Sequence, residues 1–419
     1  MVSSLRASKQ GLERVNQARK KKGWTKTVTS AWWESALTSQ ATLRRFWRKI
    51  PIEPESFINI CQAVGISQWQ EIVESTTTEE LEAPKIAFSE DWGEAPDISA
   101  FYGRTEELTQ LEQWLVHDRC RLVALLGMGG IGKTALSVMV AEQLQNEFDY
   151  FIWRSLRYSP SVENLLAQLI RFFSHGQVTD LPKDFGCAVS QLIEYLRSHR
   201  CLVILDEVET ILRPGQLTGS YQEGYEGYAE LFTRVGKERH QSCLMLTSRE
   251  QLNEMALMQA GTLAVRSLLL SDLNNAAARE IFKAKGLLDE SSWHQLLQIY
   301  RGNPLVLNII SSYIKNYFSG KASDFLKLET IFLGDIHLIL DSSWQRLSTL
   351  QREVMLQLAR ASRSLLELTK LLQSVSTSEI METLQALERR SLIERQLEEK
   401  DVIYTLQPIV RKYVKRKFN

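Results

Sequence analysis

The stretch LLGMGGIGKTAL, residues 125–136, decides the fold. Within it, Gly127-Met128-Gly129-Gly130-Ile131-Gly132-Lys133-Thr134 fits the spacing G-x-x-x-x-G-K-[ST]. Glycines let the backbone turn tightly, so that several N–H groups point at phosphate oxygens. The N-terminus of a following helix adds partial positive charge. The apolar run Arg121–Leu126 before the motif and the helical pattern 133–147 after it supply the strand–loop–helix context that the motif needs. The candidate phosphate-binding residues are Gly127, Gly129, Gly130, Ile131, Gly132, Lys133, Thr134 and Ala135. Lys133 is expected at the β- and γ-phosphates, and Thr134 on Mg²⁺.

Four more apolar runs follow at intervals: Tyr150–Ser155, Cys201–Leu205, Cys243–Thr247 and Leu263–Leu268. CLVILD and CLMLTS are continuously apolar, as strands buried on both faces of a parallel sheet are. Helical stretches such as 133–147 and 162–173 separate the runs, which predicts a doubly wound α/β domain. Asp206 closes one of these strands, where a carboxylate can hold a Mg²⁺ shell. Glu207 follows it, either as a base that orients an attacking water or as a charge at a helix start. Arg249 stands just past another buried strand, at the carboxyl edge where ligands of open α/β sheets bind. Asp206, Glu207 and Arg249 are the candidate catalytic residues, and Thr134 and Asp206 the candidate metal ligands.

The chain has 419 residues, which suggests about three domains. Its 44% hydrophobic and 24% charged residues are ordinary for a globular protein. Formal charge is zero but unevenly spread. Residues 1–60 hold twelve Lys/Arg against four Asp/Glu, and residues 71–100 hold nine Asp/Glu against one Lys. The five cysteines form no C-x-x-C pair, so neither a disulfide framework nor a zinc site is expected, and the reading is a reduced, cytoplasmic protein. MVSSLRASKQ lacks the apolar core of a signal peptide, and no apolar run approaches the roughly 20 residues that span a bilayer. No membrane partner is expected. Thr76–Ala100, with Pro84, Gly93, Pro96 and the acidic run, reads as a linker.

Residues 1–75 read as about five short helices, near 4–22, 28–37, 40–49, 54–63 and 67–74. In SQATLRRFWRKI, Leu43, Phe46, Trp47 and Ile50 keep helical apolar spacing behind Ser39 as N-cap. Phe46 and Trp47 read as core. The arrangement resembles the lambda-repressor-like helix-turn-helix fold. That resemblance would turn Gln40, Thr42, Arg44 and Arg45 toward bases, with Lys20, Lys21, Lys22 and Lys26 along phosphates. A protein-recruiting head is the other reading of the same helices.

The order of motifs resembles the NB-ARC branch of STAND signalling ATPases, relatives of apoptosome proteins and plant disease-resistance receptors. FYGR (Phe101, Tyr102, Gly103, Arg104) resembles the adenine-side entry motif, and FDYFIWRSLR at 148–157 the second-strand motif. LDEVETIL at 205–212 resembles the Walker B stretch, and TSRE at 247–250 the sensor-1 stretch. In GNPLVL at 302–307, Pro304 would pack on adenine. The resemblance implies a nucleotide-binding α/β domain (98–270), a helical domain (271–335) and a winged helix (336–419), after a helical head (1–75) and an acidic linker (76–97). It implies ATP/ADP and Mg²⁺ as ligands, a resting ADP form, and homo-oligomerisation in the ATP form. The family's winged-helix His-Asp pair falls on Gln407 and Pro408 in YTLQPIVRKYV. Gln407 can donate a hydrogen bond but carries no charge, and Arg411 is the candidate substitute. A sensor is expected on a separate chain or among the domains present, or beyond a truncation. Three functions stay open: a signalling switch with an effector head, a nucleotide-gated DNA-binding regulator, and a multi-turnover ATPase.

Overall fold

The computed structural model describes residues 5–26, 29–73, 89–178, 182, 184–216, 219–328, 334–398 and 401–418. The chain divides into two compact units, Met1–Ala87 and Phe88–Asn419.

In the first unit, helices Lys9–Lys21, Ser30–Ser35, Gln40–Trp47 and Pro54–Ala63 and a short 3-10 turn, Trp69–Ile72, enclose one apolar core. Trp32, Leu43, Phe46 and Phe57 are buried at its centre. Ser39 caps the third helix, its hydroxyl accepting from Thr42 N at 3.0 Å. Ile50, expected on the apolar stripe of that helix, lies past its end and is exposed. Lys49 takes a left-handed turn (φ 55°) and carries the chain off the helix axis before Ile50.

The second unit begins with a six-stranded, all-parallel sheet. Its strands are β1 (Ser89–Asp91), β2 (Leu122–Leu126), β3 (Tyr150–Ser155), β4 (Cys201–Asp206), β5 (Cys243–Ser248) and β6 (Val265–Leu269). Their spatial order is β1-β3-β4-β5-β2-β6. Side chains alternate across the sheet, as strand geometry requires. Leu122, Ala124 and Leu126 join Ile152, Val203 and Leu246 in one core. Val123 and Leu125 join Phe151, Trp153, Ile204 and Met245 in the other. Burial on both faces explains why these strands carry continuous apolar sequence. β1 lies in the stretch read as an acidic linker. Its three residues, Ser-Glu-Asp, carry no apolar signal, yet they pair with Tyr150–Ile152 at the sheet edge.

After the sheet the described residues are mainly helical as far as Gln345. Helices Thr349–Arg360, Leu365–Leu371 and Thr377–Arg389 then lead to the hairpin of β8 (Ile393–Glu398) and β9 (Asp401–Leu406). Arg363–Ser364 forms β7 against β9. The hairpin stands where SLIERQ and VIYTLQ flank EEKD. One apolar cluster runs from Leu273 to Val414 and takes in Met128 of the phosphate loop. Among the described residues no helix is long and apolar enough to cross a membrane.

Candidate nucleotide site

The Gly-rich loop turns between β2 and the helix Lys133–Leu144. Gly127, Gly130 and Gly132 have φ of 145°, 77° and 100°, a region closed to most side chains. Lys133 is buried, and its ammonium donates to the carbonyls of Gly127 (2.8 Å) and Met128 (3.1 Å). Burial pushes this lysine down to about 8, against the opposing pull of Glu209 and Asp206. Ala135 continues the helix one turn behind the loop.

Thr134 and Asp206 meet as their motifs require: the Thr134 hydroxyl donates to Asp206 Oδ1 at 2.9 Å. Thr247, at the end of β5, donates to the same carboxylate. Burial raises the Asp206 pKa, and the two hydroxyls oppose that shift. One hydroxyl and one desolvated carboxylate make the donor set of a Mg²⁺ ion that takes its other ligands from water and phosphate. Among the described residues no cluster of three or more His, Cys, Asp or Glu could hold a metal alone.

Glu207 sits at φ 61°, with its N–H on Thr247 Oγ1 (3.0 Å). Its carboxylate accepts from Arg157 Nε (2.8 Å) and Nη2 (3.1 Å) and from Ser155. Glu207 stands at the N-cap of a short 3-10 turn, Val208–Ile211, and not of an α-helix. Arg249 lies against the loop: its guanidinium carbon is 3.3 Å from where a Cβ on Gly129 would stand. Nε pairs with Glu209 at 3.0 Å, and Nη1 donates to Ser342 at 2.5 Å. Glu209 and Thr247 were named only as parts of stretches such as LDEVETIL and TSRE, and Ser342 carried no sequence signal. Each reaches the site through a tertiary contact.

The entry motif is stapled into the fold. Phe101 packs on the sheet core and Tyr102 on the C-terminal core. A Cβ on Gly103 would stand 2.6 Å from the Ala277 methyl. Arg104 is buried, and its guanidinium donates to Ile131 O (3.0 Å), Ser271 O (2.6 Å) and Glu107 (2.7 Å). Its donors hold the loop in place, so any nucleotide contact from Arg104 is made beside those bonds.

Residues 302–305 bring the second wall. Gly302 has no room for a side chain, since a Cβ would lie 2.2 Å from Leu273 O. Asn303 caps the helix Pro304–Tyr317, accepting from Leu305 N and Val306 N, with Pro304 at the first helical position. The same amide donates to Gly129 O at 3.1 Å, and Leu305 N reaches Gly130 O at 3.3 Å. Pro304 thus stands beside Gly132. The sequence singled out Pro304, not the cap made by Asn303 or its bond to the phosphate loop.

A cavity of about 630 Å³ opens beside the loop, lined by Met128, Ile131, Leu270, Asp272, Ile393 and Gln407 among others. Gln407 therefore shares a cavity with the phosphate loop across 279 residues of sequence separation from Met128. Pro408 opens the last helix, Pro408–Phe418, where a missing N–H breaks no helical bond. Arg411, the candidate substitute for the missing cation, is bound to Thr405 (2.5 Å) and Ser362 (3.3 Å) and lines a separate cleft. In the first unit, Gln40 and Thr42 open the helix Gln40–Trp47 with Arg44 and Arg45 one turn on. Arg45 spends one donor on Pro51 O (2.9 Å).

The family model of the NB-ARC domain matches residues 104–271. An uncharacterized WD repeat-containing protein of Nostoc sp. (strain PCC 7120 / SAG 25.82 / UTEX 2576) is 40% identical, over 99% of this chain and 36% of its own length. Disease resistance-like protein DSC1 of Arabidopsis thaliana is 24% identical, over 62% of this chain and 21% of its own. The chain thus spans about a third of the first relative and a fifth of the second. A Walker-type ATPase of Pyrococcus abyssi shares the fold at 16% identity, with a TM-score of 0.51 over 75% of this chain and 96% of that one. Sheet order, loop geometry and these matches agree: residues 104–271 match the NB-ARC domain and carry a P-loop nucleotide-binding fold.

Proposed function

We propose that the chain is a signalling switch that binds ATP or ADP and changes state with the γ-phosphate. One observation carries the reading: residues from the C-terminal segment bond the phosphate loop itself. Asn303 holds Gly129 O, Leu305 N reaches Gly130 O, and Arg249 at the loop ties to Ser342. A phosphate entering that loop competes for the groups that dock the segment, so occupancy and docking are coupled. Lys133 binds the phosphates, and Thr134 with Asp206 holds Mg²⁺, which neutralises phosphate charge. Arg249 senses the γ-phosphate, and Gln407 donates a neutral hydrogen bond from the winged helix. The engagement of Glu207 by Arg157 supports slow hydrolysis, because both of its carboxylate oxygens are occupied by that guanidinium and not by an attacking water. Opening in the ATP state would free the surface for homo-oligomerisation, with the first unit as effector or DNA-binding head. The Nostoc relative is named for WD repeats, and we take repeats of that kind, on this or another chain, as the proposed sensor.

The test is the nucleotide carried by freshly purified protein, released by denaturation and quantified by chromatography. The switch reading expects ADP close to one per chain. Nucleotide-free protein with brisk ATP turnover would replace it with a constitutive ATPase.

A further inference from the structure

Beside Arg249 lies a second charged group whose partners come from far along the chain. Glu250 is buried, with 1% of its surface exposed. Its Oε1 accepts from Arg346 Nε at 2.6 Å, and its Oε2 from Arg390 Nη2 at 2.9 Å. Arg346 follows the helix Gly334–Gln345, and Arg390 ends the helix Thr377–Arg389. Both arginines are themselves positioned. Arg346 Nη2 donates to Leu212 O at 3.1 Å, and Arg390 Nη1 to Gln351 Oε1 at 2.6 Å. Gln351 is fully buried and closes a capping box on Ser348, which fixes its amide. Met128, Gly129, Arg249, Glu250, Arg346 and Arg390 line a single slot of only about 10 Å³. That slot has room for about one water between the clamp and the phosphate loop.

We infer that Glu250, gripped by Arg346 and Arg390, is the latch that holds the C-terminal segment on the nucleotide domain, and that Arg249 couples it to the γ-phosphate. The inference rests on the switch reading and names its regulation. Two arginines on one buried carboxylate leave a net positive charge, so removing the carboxylate leaves buried Arg390 and largely buried Arg346 without their anion. Such a pair adds less to overall stability than to the choice of one arrangement. Arg249 is the next residue in the chain, and it bridges Glu209 and Ser342. Drawing its guanidinium toward a γ-phosphate breaks the Ser342 bond and shifts the backbone that carries Glu250. The latch thus supplies within the protein a grip that neutral Gln407 cannot supply through the ligand.

The test is a distance measurement on the full chain. Nitroxide labels are placed at Leu263→Cys and Leu397→Cys, both exposed, in a Cys187→Ser background; the other four cysteines are buried. Spin-echo distance distributions are recorded on protein stripped of nucleotide, with ADP, and with ATP and Mg²⁺. Glu250→Gln should lower the ratio of docked to undocked molecules at least tenfold in stripped protein, and Arg346→Gln should do the same from the other side of the contact. Arg390→Gln added to Glu250→Gln should produce little further loss. A single wild-type distance in Glu250→Gln, or in Arg346→Gln if the first variant lacks a cooperative melt, overturns the latch. Identical wild-type distributions with ADP and ATP would instead overturn the switch reading, while the stripped protein still decides the latch.

Discussion

The phosphate cleft has two walls built in opposite ways. One wall is eight consecutive residues, Gly127–Thr134, pinned between a central strand and its helix. Its lysine already bonds the loop carbonyls, and its threonine already bonds Asp206. The other wall is assembled from Arg249, Asn303, Ser342 and Gln407, which lie far apart in sequence and reach the loop by tertiary contacts or a shared cavity. A wall made of one continuous stretch keeps its geometry whatever the rest of the chain does. A wall made of distant residues depends on every contact that joins them. On the proposed switch reading, the first wall would supply affinity and the second a response to what is bound.

The sharpest way to break this division is Lys133→Ala. Removing a buried charge that meets phosphate costs about 2–5 kcal/mol, so ADP and ATP affinity should both fall by roughly 30-fold or more. Titration calorimetry with each nucleotide reads it. A loss confined to ATP, or a change under threefold, would mean that the second wall holds the ligand.

A smaller effect follows from the lysine's proton. Burial sets Lys133 at about 8 in the free protein, and phosphate favours the charged form. Below about pH 7 the ammonium is charged before and after binding, and affinity is flat. As pH rises through 8 the free lysine loses its proton and binding must take one up, so affinity falls, by up to about tenfold per pH unit. Calorimetry in two buffers of different ionisation enthalpy at pH 9 should show proton uptake on binding. No uptake would place the phosphates away from Lys133.

The same contrast explains what could be read from the sequence. The loop and the strands were legible because each is local: a glycine-rich turn, and apolar runs buried on both faces; so was the hairpin, from SLIERQ and VIYTLQ on either side of the charged turn EEKD. The pairing of Thr134 with Asp206 was legible because both residues sit in motifs whose chemistry requires it. β1 was not, because its pairing with β3 comes from backbone hydrogen bonds that Ser-Glu-Asp does not advertise. Glu250 was quoted within TSRE, but its partners lie 96 and 140 residues away, and nothing in an isolated Arg346 or Arg390 marks them. Arg411 shows the reverse failure. It is close in sequence to Gln407 and chemically suited to phosphate, yet its Nη2 bonds Thr405 and Ser362 and the side chain lines a different cleft.

Gln407→His offers the finest test of the second wall, since it changes one neutral donor into a titrating one. The side chain opens on the cavity beside Met128 and Ile131, and Pro408 behind it starts a helix, so the substitution disturbs no helical bond. An unperturbed imidazole titrates near 6.5, and a nearby phosphate would raise that value. ADP release from Gln407→His should therefore slow several-fold between pH 7.2 and 5.8, a window in which Lys133 stays charged and the parent protein should change little. Stopped-flow release of a fluorescent ADP analogue reads both proteins. Equal pH dependence in the two would remove Gln407 from the phosphate site and leave the Glu250 clamp to hold the second wall without help from the ligand.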